Sequence, residues 1–157
     1  VSRDQVSERY LDPYHVRYHQ GAWYLIAYCH TRAEVRIFAL DRIRELKVME
    51  ERFEPVNDFS LEEYLGLSMG IERGYGVWEV AIKFTPFQAR WIRERKWHAS
   101  QEMEELDDGS LILKLKVAGL NEVKRWVLSF GKEAEVLAPP ELREEIAAEL
   151  AAMVALY

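Results

Sequence analysis

The stretch Gly21–Ile43, GAWYLIAYCHTRAEVRIFALDRI, leaves this chain little choice of local structure, because it reads as a β-hairpin. One arm, Ala22–His30, is rich in aromatic and aliphatic residues, Thr31–Glu34 is a polar connection, and the return arm is Val35–Leu40. Side chains two apart on a strand share a face. Trp23, Leu25, Ala27 and Cys29 therefore fall on one face, and Tyr24, Ile26, Tyr28 and His30 on the other. On the return arm Arg36, Phe38 and Leu40 share a face, and Arg42 follows just past its end. Trp23 is expected in the core, since mid-strand aromatics usually bury their area, with Cys29 an inert buried thiol beside it. Upstream, Tyr14, Val16 and Tyr18 alternate with His15, Arg17 and His19, a strand with an aromatic-aliphatic face and a basic face. A sheet that presents tyrosines, histidines and arginines suits the stacking of bases and the pairing of phosphates.

The segment Asp12–Ile43 closely resembles the WYL domain of bacterial regulators. The pieces that carry the resemblance come in order: Pro13-Tyr14 before the first turn, Gly21 in the turn, the tripeptide Trp23-Tyr24-Leu25, then Tyr28-Cys29-His30, and R-x-F-x-L-D-R-I at Arg36–Ile43. The tripeptide alone is a weak motif; the ordered set is specific. Phe59–Leu65 and Met69-Gly70-Ile71 resemble the family's linker, and Trp97–Gln101 with Arg125–Gly131 resemble the C-terminal extension domain often found after WYL. The resemblance implies an α+β chain of two modules. Residues 1–56 would be an Sm/SH3-like β-barrel, incomplete here because the family's opening helix and strand have no counterpart. Residues 57–76 would be a linker and 77–157 the extension.

Composition narrows the class. No apolar run approaches the roughly 18 residues of a membrane span, and the polar start, VSRDQVSERY, is unlike a signal peptide. With one cysteine there is no intrachain disulfide, so a cytoplasmic protein without a membrane partner is expected. The net charge of −6 opposes indiscriminate binding to duplex DNA. Its distribution is uneven. Val1–Val48 holds eight Lys/Arg against six Asp/Glu, Met49–Trp78 two against seven, and the remainder eleven against fourteen. The part containing the hairpin is the net-positive one.

The rest of the chain has readable order. Ile43–Val56 is expected to add a strand or strand pair, Leu61–Leu65 a short helix, and the glycines of Gly70–Gly76 a boundary. In Val77–Phe84, Trp78, Val80, Ile82 and Phe84 alternate inward. Thr85-Pro86 starts a helix with a hydroxyl cap and a proline at its first position, and Phe87, Trp91 and Ile92 mark a buried face as far as Trp97. His98–Leu106 is a strand, Asp107–Ser110 a hairpin turn, and Leu111, Leu113, Leu115 and Val117 the inner side of the next strand. Asn121 caps a second helix, Gly131 closes it, and Ala134–Leu137 is a last strand. This β-α-β-β-α-β order is the ferredoxin-like one. A terminal helix opens at Pro139-Pro140.

Candidate site residues are Tyr24, Arg36, Arg42, His15, His30 and Tyr28. Arg36 and Arg42 admit two readings: surface ion pairs with Asp41 or Asp12, worth about 0–1 kcal/mol, or a phosphate clamp. The WYL resemblance favours the clamp and adds stacking on Tyr24 and Tyr28. His15 and His30 would donate to a phosphate or base edge, or simply face solvent. No metal site is expected, since the histidines lack a cysteine pair, and no cofactor, since no Gly-rich phosphate loop appears. Arg93, Arg95 and Lys96 form a solvated helix face, a continued nucleic-acid path or a partner surface. No catalytic constellation stands out, so an enzyme is not expected. The resemblance implies the ligand-sensing region of a bacterial transcriptional regulator, with single-stranded nucleic acid or a nucleotide as ligand, a homodimer, and a DNA-binding domain N-terminal to it in the full-length protein. Two other classes stay open: a dimerisation module without a ligand, and an accessory domain of a nucleic-acid-processing system.

Overall fold

The computed structural model describes residues 6–55, 59–72, 74 and 76–157. They form two units, Val1–Tyr64 and Leu65–Tyr157. In the first, β1 (Leu11–His19), β2 (Ala22–Cys29) and β3 (Glu34–Ala39) make an antiparallel meander in the order β1-β2-β3. The β1–β2 turn is the two-residue kind whose central positions both need positive φ, with Gln20 at 47° and Gly21 at 86°. A 3-10 turn follows at Leu40–Arg42, and α1 (Leu61–Leu65) comes after it. The strand expected within Ile43–Val56 does not form among the described residues, which run as irregular backbone from Ile43 to Pro55. That stretch is charged and lacks a period-2 apolar pattern.

Trp23 is not in the core; it is 51% exposed. It sits two residues past the turn, opposite Tyr18 at a ring distance of 5.3 Å, where both strands outrun whatever covers them. The fully buried positions lie further along β2, at Ile26, Ala27 and Cys29. Cys29 is a free, buried thiol, as expected, with the Arg9 guanidinium 3.8 Å from its sulfur.

The second unit holds β4 (Trp78–Phe84), α2 (Pro86–Ile92), β5 (Glu102–Glu105), β6 (Leu111–Val117), α3 (Asn121–Leu128), β7 (Ala134–Ala138) and α4 (Pro140–Val154). All strand pairs are antiparallel and the order is β5-β6-β4-β7. The alternation of β4 and β6 is realised: Val80, Ile82 and Phe84 pack with Leu111, Leu113, Leu115 and Val117 against Val123 and Val127 of α3. The outer face of this sheet is laced with ion pairs, Lys114 with Glu104 at 2.7 Å and Lys116 with Glu79 at 3.5 Å among them.

Three local expectations change. The helix α2 ends at Ile92, and Ala89 with Ile92 form its buried face while Phe87 and Trp91 stand outside. The strand expected over His98–Leu106 is confined to β5, because His98–Gln101 is a hydrogen-bonded loop in which the Gln101 side chain accepts from the amides of Trp97 and His98. Asn121 does not cap α3; its amide donates to Glu72 at 2.6 Å. The cap at Thr85 is present, its hydroxyl accepting from the Gln88 amide.

The chain leading into this unit is fastened to it. The Glu122 carboxylate, nearly fully buried, accepts from the amides of Gly70 at 2.7 Å, Ile71 at 2.9 Å and Glu72 at 3.0 Å. The Ala118 amide donates to the Leu67 carbonyl at 2.9 Å. A Cβ on Gly74 would lie 1.6 Å from the Ala118 oxygen, so a side chain cannot be placed there without moving backbone.

Candidate nucleic-acid interface

Antiparallel register decides which side chains share a face. Arg17 is opposite Tyr24, which is opposite Ala39; His15 is opposite Ile26, opposite Ile37; Asp12 is opposite Tyr28, opposite Val35. This face therefore gathers four of the six candidate residues, Tyr24, His15, Tyr28 and His30. His30 joins it because its Nε2 lies 2.9 Å from Asp12 Oδ1 and its ring meets Tyr28 edge-on at 5.3 Å.

Arg36 is opposite Ala27 and so belongs to the other face, with Trp23, Leu25 and Phe38. It cannot clamp a phosphate whose base stacks on Tyr24 of the same sheet. Its partner is neither Asp41 nor Asp12 but Glu34, two residues back on the same side of β3, at 2.7 Å. Arg42 ends the 3-10 turn, exposed and without an ion pair among the described residues.

The shared face is interrupted in the middle. Phe59 seats against the rings of Tyr14 at 4.8 Å and His15 at 5.8 Å, Phe53 lies 5.9 Å from Tyr14, and the Tyr64 hydroxyl donates to the Val35 carbonyl at 2.7 Å. Tyr14 reaches this cluster because the β1 register shifts between Pro13 and His15. On either side of this cluster lie Arg17 with Tyr24, both half-buried, and Asp12, Tyr28 and His30, of which His30 is exposed. Arg17 is the residue that motif reasoning left out. Its signal was the basic alternation of His15, Arg17 and His19, and the register that sets it against Tyr24 is not visible in one strand alone. At the Arg17 end the register sets a cation opposite a tyrosine. Arg17 makes no ion pair among the described residues.

In the second unit, His98 and Ser100 of the Trp97–Gln101 motif have structural partners. Ser100 donates its amide to His98 Nδ1 at 3.1 Å and bridges to the Lys116 carbonyl and amide of β6. Burial pushes the His98 pKa below its usual value, opposed by hydrogen bonds to the backbone of Leu67 and Ser68. Among the described residues no group of three or more His, Cys, Asp or Glu is placed to hold a metal ion, and no helix is long and apolar enough to cross a membrane.

Comparison with known proteins finds two domain families along the chain. The WYL domain matches residues 1–48 and the WCX domain residues 76–154. The chain is 26% identical over 146 residues to protein PafC of Mycobacterium tuberculosis, covering 93% of this chain and 45% of that protein. It is 27% identical over 153 residues to the uncharacterized HTH-type transcriptional regulator YobV of Bacillus subtilis, covering 95% and 47%. It thus spans about half the length of the curated relatives it matches. Among solved structures, proteasome accessory factor B/C (PafBC) of Arthrobacter aurescens is similar at 25% identity and a TM-score of 0.44, covering 98% of this chain and 23% of that one. With the hairpin inside the WYL match and the second sheet inside the WCX match, this chain belongs to the family of proteins that carry a WYL domain and a WCX domain.

Proposed function

We propose that this chain is the ligand-sensing region of a transcriptional regulator and that its hairpin sheet takes single-stranded nucleic acid or a nucleotide. The observation that carries the reading is the half-buried Arg17–Tyr24 register pair at one end of the sheet, with the exposed His15 next along β1. Tyr24 stacks a base, Arg17 pairs its phosphate, and the Asp12–His30–Tyr28 end offers a second ring and an imidazole. Arg42 contributes charge from beyond β3. On this reading the meander is part of an Sm/SH3-like barrel, and the β5-β6-β4-β7 sheet with its helices is a ferredoxin-like extension. The ion-paired outer face of that extension, bare of aromatic rings, suits it to assembly rather than to base stacking. The partners are the ligand, a second copy of the chain and an attached DNA-binding domain. Ligand binding works only by favouring one of two arrangements of that assembly.

The test is fluorescence anisotropy of labelled DNA and RNA single strands at two salt concentrations. Salt-sensitive binding is expected. Tyr24→Ala or Arg17→Ala weakens it about tenfold or more, as loss of a stacked base does, while Arg36→Ala leaves it within about twofold. Loss on Arg36→Ala with Tyr24→Ala silent would put the ligand on the opposite face and sink this site.

A further inference from the structure

The outer side of α2 carries two aromatic rings that the core of the second unit does not use. Phe87 and Trp91, 55% and 44% exposed, meet edge-on at 4.8 Å, and the Arg90 guanidinium lies over both rings at 5.0 and 4.9 Å. Arg90 Nε donates to the Phe87 carbonyl at 3.3 Å, which fixes the side chain over the rings. Its two terminal nitrogens make no hydrogen bond among the described residues. They form the planar fork that matches a carboxylate bidentately.

The charge around this platform is local. Pro86–His98 holds four Lys/Arg against one Asp/Glu, whereas the rest of Leu65–Tyr157 holds eight against fourteen. Arg93 is taken by Glu105 through two hydrogen bonds. Arg90, Arg95 and Lys96 are exposed and make no ion pair among the described residues. The cationic surface is also framed by acid. The β5–β6 turn comes up against the start of α2, where a Cβ on Gly109 would lie 3.6 Å from the Pro86 Cβ, and it brings the exposed Asp107 and Asp108 with it.

We propose that this platform docks a short acidic segment of a partner polypeptide, one that carries an aliphatic or aromatic side chain beside its carboxylates. Charge complementarity selects an anionic partner, and the two rings select one with an apolar side chain to set on them. Two observations favour a polypeptide over a nucleic-acid strand. Arg90 already lies over the ring faces on which a base would stack. A strand also brings a phosphate with every nucleotide, and along α2 these would meet Glu105, Asp107 and Asp108 as well as the cations. A short segment places its few carboxylates at Arg90, Arg95 and Lys96 and stops there. The surface is small, so the contact is weak and reversible. Aromatic residues and Arg are the side chains that dominate such contacts. The proposal concerns the second unit and is independent of the ligand proposed for the hairpin sheet.

Amide and indole NMR titration of the isotopically labelled whole chain tests it. The probes are the peptide Glu-Glu-Leu-Phe-Glu-Glu, its counterpart with lysine in place of every glutamate, and a thymidine single strand of about ten nucleotides. The acidic peptide should shift the Trp91 indole and the amides of Phe87–Lys96 with a dissociation constant on the order of 1 mM or below, and the lysine peptide should shift neither. Arg90→Ala should weaken binding about fivefold, and Phe87→Ala with Trp91→Ala about tenfold or more. Spectral dispersion reports whether each variant folds. Lys96→Glu alters an exposed residue outside the core, so it carries the test should the double variant fail to fold, and it should weaken binding as much as Arg90→Ala. Absence of platform shifts with the acidic peptide at about 5 mM, or equal shifts with the lysine peptide, would overturn the proposal. So would tighter binding of the oligonucleotide at the platform, which gives the surface to nucleic acid. Platform shifts on dilution of the chain alone would give it to a second copy and overturn the proposal too.

Discussion

Glu122→Ala would leave the amides of Gly70, Ile71 and Glu72 without their shared acceptor. A buried unsatisfied donor costs about 1–3 kcal/mol, so a loss of roughly 3 kcal/mol or more is expected in the urea midpoint, with Glu122→Gln falling between. His98 makes the same region sensitive to acid. Its pKa is lowered in the fold, chiefly by burial, so the unfolded chain takes up a proton more readily than the native one. The contribution is therefore full above the ordinary value of 6.5 and is lost as pH falls through the depressed folded value. Protonation would also put a hydrogen on Nδ1, which accepts from the Ser100 amide in the neutral ring, and set two donors against each other. Stability should drop as pH falls below about 6.5, and His98→Gln should flatten that slope. Neither role is visible in sequence, because nothing in WHASQ says that its histidine will meet the Leu67–Ser68 backbone some thirty residues upstream. The Gly70–Gly76 cluster signalled a break, but the reason for Gly74 is the Ala118 carbonyl, a contact no local pattern encodes.

At the scale of elements, legibility followed burial. The alternation of β4 and β6 was plain because both strands put every second residue into one core. Of the three residues expected on the buried face of α2, Ile92 is buried while Phe87 and Trp91 are exposed. Phe87 and Trp91 sit four apart, which marks a helical stripe, but spacing alone does not say which stripe packs, and it is the smaller Ala89 that joins Ile92 in the core. Ile92→Ala should therefore cost about 2–5 kcal/mol, whereas Phe87→Ala should stay within about 0.5 kcal/mol; chemical denaturation of the two variants checks the orientation. Trp23 failed for a related reason, since a period-2 pattern assigns faces and leaves open how far along a hairpin the cover extends. The same limit hid which side chains share the proposed binding face. Face assignment within β2 was right, but whether Arg36 joins Tyr24 or Trp23 depends on cross-strand register, set by the turn around Ala33 with its φ of 53°.

The whole molecule divides unevenly. Thirteen buried side chains form the core of the second unit, against three buried hydrophobic residues, Ile26, Ala27 and Cys29, among the described residues of the first. Unfolding followed by hydrogen exchange should therefore lose protection in β1–β3 at lower denaturant than in β4 and β6. A single coincident transition would argue against two separately stabilised units. Between them the chain is held on both sides. The Tyr64 hydroxyl is bonded to Val35 of the hairpin, and the Leu67 carbonyl to Ala118 of the second sheet, so only Leu65 and Gly66 lie between the two anchors. In polymer terms this is a tether with almost no slack, reaching roughly 10 Å at full stretch. A flexible linker of ordinary length averages away a small shift at one end. With two residues between these anchors, freeing the Tyr64 hydroxyl from Val35 would add to the length of free chain before Leu67.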